Sequence, residues 1–177
     1  MHWQEESPDF YRLAHDHEIY ATLQLSLQDV NTPFQMRTYD FYQAHIETSE
    51  YRYSFKCVFR HGYFHGCEFM EGGSQDPIGE YHDYFLTLPG RPKGRMKFLD
   101  AGIFDWKRGP RAHHRILAAT GGADLVEYDP FEGMNDGMIR ILQPHFKDLP
   151  ESDLILLAGF YLAIDPRRFS RPYDLRK

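Results

Sequence analysis

Leu154-Ile155-Leu156-Leu157-Ala158-Gly159-Phe160-Tyr161-Leu162-Ala163-Ile164 is the stretch that decides the fold. Asp148-Leu149-Pro150-Glu151-Ser152-Asp153 precedes it with capping side chains, an early proline and acids suited to the positive end of a helix dipole. Asp165-Pro166 stops it, so a helix is expected over 150–165. A helix that is apolar on every side must be enclosed on every side or lie in lipid. Eleven residues at 1.5 Å each extend only about 16 Å, whereas a hydrocarbon core needs about 30 Å. The segment is therefore expected to be a central helix inside a protein shell, and no transmembrane segment is expected.

The residues upstream supply that shell. Ile19, Ala21, Leu23, Leu25 and Leu27 alternate with polar neighbours from His17 to Leu27, which reads as a half-buried strand. Phe34 to Thr48 continues in the same manner. Tyr51, Tyr53, Phe55, Cys57 and Phe59 fall on one face of the next strand. Tyr63, His65, Cys67 and Phe69 return in phase after a turn at Arg60-His61-Gly62, expected as a three-residue loop. Further strands are expected at Gly79–Leu88, Arg95–Leu99, Gly102–Lys107, Arg115–Ala119, Ala123–Tyr128 and Gly137–Leu142. Residues 1–12, acidic and broken by Pro8, read as a loosely packed lead-in. The layout is a single mainly-β domain over 1–177, with about ten strands, the central helix and a basic tail at 166–177. A closed antiparallel barrel with a buried C-terminal hydrophobic helix satisfies it, since closed sheets can enclose a helix.

That layout resembles the tubby-like barrel superfamily, which includes the LURP-one-related proteins and the phospholipid scramblases. Leu154 to Asp165 is similar to the core helix that ends those domains. Arg95-Met96-Lys97-Phe98-Leu99-Asp100-Ala101-Gly102-Ile103-Phe104-Asp105-Trp106 is similar to a strand pair of uncharacterised bacterial relatives. The resemblance implies twelve strands. It also implies that the helix fills the barrel, so that ligands bind on the outer surface or at the loop mouths. No phosphoinositide-site signature carries over.

Composition narrows the function classes. Fourteen Phe, twelve Tyr and two Trp in 177 residues exclude a disordered chain. Twenty basic against 26 acidic side chains leave a formal charge of −6, which disfavours a nucleic-acid coat. Two cysteines make no disulfide framework, and no charged segment followed by an apolar one opens the chain, so a cytoplasmic protein is expected, peripheral to a membrane at most. The charge is unevenly spread. Residues 1–50 hold nine acids and two arginines. Residues 87–115 hold eight Lys/Arg against Asp100 and Asp105, and the tail holds five against Asp174. Arg91, Lys93, Arg95, Arg108, Arg111 and Arg115, with Arg167, Arg168 and Arg171, are the candidate anion- or lipid-binding residues, because clustered cations attract phosphate and anionic headgroups.

Other constellations carry less chemistry. His15 and His17 would place two imidazoles on one strand face beside Asp16 and Glu18, a pattern that suits a metal. Cys57, His65 and Cys67 would make a soft-metal set if they converged, although buried cysteines commonly act as small hydrophobes. Asp124, Glu127, Asp129, Glu132 and Asp136 lack EF-hand spacing. No phosphate loop, dinucleotide fingerprint or nucleophile elbow is present. The expectation is a non-catalytic binding or adaptor protein with no cofactor, whose partner is an anionic phospholipid or another protein. The alternatives are a small-ligand binder or metal-dependent enzyme on a lipocalin-like barrel, and a subunit of a larger complex with tyrosines as anchors.

Overall fold

A computed structural model describes residues 1–7, 9–29, 40–60, 63–84, 92–111, 114–131 and 136–164. Twelve strands run in chain order: β1 (His2–Ser7), β2 (Phe10–His15), β3 (Glu18–Asp29), β4 (Asp40–Thr48), β5 (Arg52–Arg60) and β6 (Tyr63–Glu71) form the first half. The second half comprises β7 (Gly79–Asp83), β8 (Gly94–Phe98), β9 (Gly102–Arg108), β10 (Arg115–Ala119), β11 (Asp124–Pro130) and β12 (Asp136–Ile141). Each strand pairs antiparallel with its neighbours in sequence, and β1 returns to β12 to close the barrel. A 3-10 turn (Pro144–Asp148) leads into the helix α1 (Ser152–Ile164).

All eleven residues from Leu154 to Ile164 are buried, with no exposed stripe. Their contacts come from all round the wall. Trp3 of β1 packs on Phe160, Phe55 of β5 on Tyr161, and Tyr128 of β11 hydrogen-bonds the Leu156 carbonyl at 3.2 Å. The helix therefore occupies the interior that a lipocalin-like barrel would leave open. Gly159 is required by this fit, since a Cβ there would lie 2.2 Å from the Tyr128 hydroxyl oxygen.

Direction follows from the first turn. Tyr20, at the start of β3, donates to Asp153 at 2.5 Å. Glu151 accepts from the backbone N–H groups of Asp100 and Ala101 in the β8–β9 turn, at 3.1 and 3.2 Å. The N-terminus of α1 thus lies at the end of the barrel that holds the β2–β3 and β8–β9 turns. Its C-terminus points to the opposite end, where β7 and β9 finish and β8 and β10 begin.

Three expectations about the wall are corrected. Residues 1–12 are barrel strands rather than a loose lead-in: β1 sits between β12 and β2, and Trp3 is fully buried. The segment reads as loose because its only large apolar side chain between His2 and Ser7 is Trp3, and the ladder supplies the rest of its order. Gly137, opposite Trp3, leaves space that the indole fills, and a Cβ there would lie 2.2 Å from the ring. The second correction concerns the β5–β6 connection. Only His61 and Gly62 separate the two strands, and a bulge pairs Val58 with Gly66 but Phe59 with Phe64, so His65 is the extra residue that restores the phase. Lastly, Ile19 is exposed despite its alternation with Ala21. The register shifts between Leu13 and Ala14, leaving Tyr20 unpaired and turning Ile19 out of the apolar face.

Candidate anion site at the barrel mouth

Strand alternation places alternate side chains on the inner face. Tyr81 of β7, Trp106 of β9 and Leu117 of β10 are buried inward, so Asp83, Arg108 and Arg115 occupy the inward-facing positions next along, at the mouth toward which α1 points. Arg108 and Arg115 are directly paired across β9 and β10. Lys93 stands beside them, its backbone N–H donating to Trp106 at 2.7 Å and its carbonyl accepting from Tyr84 at 2.7 Å. Three cations therefore share this end with the Asp83 carboxylate and act on it, where an interior facing the helix would otherwise be apolar.

The site is partly desolvated. Arg115 is only 5% exposed and donates to the His114 carbonyl at 2.8 Å. Tyr81 is equally enclosed and donates to Asp83 at 2.6 Å. Burial raises the Asp83 carboxyl above its ordinary value, an effect opposed by the Tyr81 hydrogen bond and by Lys93, Arg108 and Arg115. Burial also lowers Lys93, with Arg115 and Arg108 adding repulsion that Asp83 partly offsets. Arg115 is lowered by burial and then by Arg108. Lys93 and Arg115 are thus held where a further anion would be favourable, while Arg108 stands exposed at the rim. The α1 C-terminus contributes a partial negative charge and has no basic residue in its last turn, so part of the mouth's positive charge answers the helix dipole.

The opposite end differs in sign. Asp16, Glu50, Asp76, Asp100 and Asp153 are exposed in or beside its turns. Two surface depressions, of about 230 and 280 Å³, lie on the outer face of β1–β3 and between the β2–β3 and β4–β5 turns, away from the cations.

The structure redistributes the residues singled out from sequence. Arg95 pairs with Asp105 at 3.0 Å, Lys107 with Asp124 at 3.2 Å, and Arg111 with the buried Asp129. Those cations are neutralised by acids that the fold brings beside them, which a linear charge count cannot see. Arg115 is buried instead of lying in an exposed loop. Arg91, Arg167, Arg168 and Arg171 lie outside the described residues, as does the question of whether the tail approaches the 91–115 region.

The proposed histidine face does not form: His15 ends β2, whereas Asp16 and His17 are the two turn residues, with φ of 49° and 73°. A two-residue hairpin turn with positive φ at both positions takes His17 off the strand. His65 is carried by its bulge against His82, ring centroids 5.7 Å apart, while Cys57 and Cys67 face the core as free thiols. Among the described residues no group of three His, Cys, Asp or Glu side chains could hold a metal ion. The acids of β11 already have neighbours: Glu127 lies 2.7 Å from the His114 ring and 2.7 Å from Arg140. Glu132 lies outside the described residues.

Tyr81 and Asp83 were not among the sequence candidates. Their signal is a polar residue at an inward position of an otherwise apolar strand face, which is visible only once the strand's phase and end are known. Among the described residues no helix is long and apolar enough to cross a membrane. No family model, curated protein or solved structure matches this chain.

Proposed function

We propose that this protein is a non-catalytic binding module of tubby-like architecture that engages the anionic headgroup of a phospholipid at the barrel mouth. One observation carries the reading: Lys93, Arg108 and Arg115 share the mouth with Asp83, at the end where α1 finishes, and act on its carboxylate. Two further features support it. The helix fills the interior, leaving binding to the mouth and outer wall. The basic residues of 166–177 follow α1 directly in sequence. Twelve strands around a C-terminal helix is also the layout that the family resemblance implies. On this reading the protein works as a peripheral module at a membrane surface.

The test is co-sedimentation with vesicles of phosphatidylserine and phosphatidylcholine, with phosphatidylcholine alone as control. Binding should require the anionic lipid, fall with added salt, and weaken in Lys93→Ala/Arg108→Ala and in Arg167→Ala/Arg168→Ala/Arg171→Ala. Equal sedimentation of wild type and both variants ends the lipid reading and leaves a protein partner as the reading to pursue.

A further inference from the structure

We propose that Cys57 and Cys67 are a thiol–disulfide pair whose oxidation acts on the central helix through Tyr161. The two residues are direct partners across β5 and β6. Opposed residues on antiparallel strands have Cα atoms about 4.5–5.5 Å apart, inside the range of about 4.4–6.8 Å that a disulfide spans. Their sulfur atoms are 3.9 Å apart and unbonded. Closing that gap to about 2.05 Å needs side-chain rotation toward one another, with the ladder left in place.

The consequence reaches the helix because Cys57 has a second neighbour. Its Sγ lies 2.8 Å from the Tyr161 hydroxyl, in the last part of α1, and Phe55 packs on the same ring at 5.4 Å. The same hydroxyl hydrogen-bonds Cys67, so a disulfide removes both S–H groups beside it and moves both sulfur atoms. The α1 turn that is loosened is the one that ends at the cationic mouth. Oxidation state and the mouth would thus be linked through the buried contacts of Tyr161 with the cysteine pair.

The chemistry balances with a small-molecule disulfide as oxidant. A cysteine thiolate attacks one sulfur of oxidised glutathione, the glutathione S–S bond breaks, and one glutathione thiolate leaves and takes up a proton. The second cysteine attacks the mixed disulfide and releases the other glutathione. Two protein thiols are oxidised and one disulfide is reduced to two thiols. Both cysteines are buried, and burial together with Cys57 holds the Cys67 thiol well above its ordinary value. Reaction therefore waits on transient opening of β5 and β6, and its rate should level off as oxidant is raised.

The experiment treats the full chain with oxidised glutathione and follows free thiols, intact mass and amide hydrogen exchange. The expected product has lost both thiols together, weighs two hydrogen atoms less, yields a peptide linking Cys57 to Cys67, and has no covalent link to a second chain. Amides at 160–164 should exchange roughly tenfold faster than in the reduced chain, the equilibrium weight of one lost buried hydrogen bond. In Tyr161→Phe that difference between oxidised and reduced chains should vanish. A native chain that keeps both thiols while the urea-unfolded chain is oxidised would overturn the pair. Arrest at a glutathione adduct, or pairing between chains, would do the same. A disulfide that leaves exchange at 160–164 unchanged would overturn the link to the helix.

Discussion

Gly159→Ala sets two known magnitudes against each other. Taken alone, alanine in a helix interior is worth about 1 kcal/mol more than glycine. Here the added Cβ would lie 2.2, 2.3 and 2.8 Å from the Tyr128 Oη, Cζ and Cε2 atoms, where carbon contacts belong at about 3.5–4 Å. The ring or the helix must move by more than about 1 Å. Tyr128 cannot retreat freely, because it is fully buried, packs on Trp106 at 5.3 Å and donates to the Leu156 carbonyl. Overpacking of this kind costs about 1–3 kcal/mol, and stranding the buried hydroxyl costs about 1–3 kcal/mol more. After the gain in propensity, a net loss of about 1–5 kcal/mol remains. Urea unfolding followed by far-UV circular dichroism should show a lower midpoint at unchanged slope. In a Tyr128→Ala background the same substitution should be neutral or stabilising by up to about 1 kcal/mol, which isolates the contact as a coupling energy. If Gly159→Ala is as stable as wild type, or loses as much in both backgrounds, the helix is not enclosed as described.

Trp3→Ala should cost about 3–5 kcal/mol, because it empties a buried site where β1 closes the barrel; a change within about 0.5 kcal/mol would return residues 1–12 to a loose lead-in. Asp83→Asn should tighten binding to anionic vesicles and steepen its salt dependence, since a negative charge that acts on Lys93, Arg108 and Arg115 is removed; weaker binding would remove the mouth from the lipid reading. Burial pushes the Tyr53 phenol up to about 12 from 10.0, and raises Tyr20, Tyr81 and Tyr128 too. Because the folded value is the higher one, this contribution to stability is whole below pH 10 and is lost as the pH rises toward 12. Part of the absorbance at the tyrosinate band should accordingly appear only as the chain unfolds; ionisation of every tyrosine at pH 10 in the folded chain would contradict the packing of those rings.

The sequence by itself determined the central helix and most of the wall. Leu154 to Ile164 has no polar face, and only enclosure satisfies such a helix at that length. Period-two alternation marked β3, β5 and β6, and the runs Arg115–Ala119 and Ala123–Tyr128 marked the β10–β11 pair. In these elements local pattern and burial agree because one face of each strand meets the same core. Strand β1 was illegible, since its stability comes from ladder bonds to β12 and β2, one end of the chain meeting the other. The bulges at Tyr20 and His65 were equally hidden, and each moves a side chain off the face that simple alternation assigns. Charge was the largest gap. The count along residues 87–115 is strongly positive, yet Asp105, Asp124 and Asp129 neutralise three of those cations across or beside the strands. Lys93, Arg108 and Arg115 share the mouth with Asp83 only because antiparallel pairing brings the ends of β7 and β9 beside the starts of β8 and β10. Coulomb interaction depends on distance in space, and closure of the barrel sets that distance.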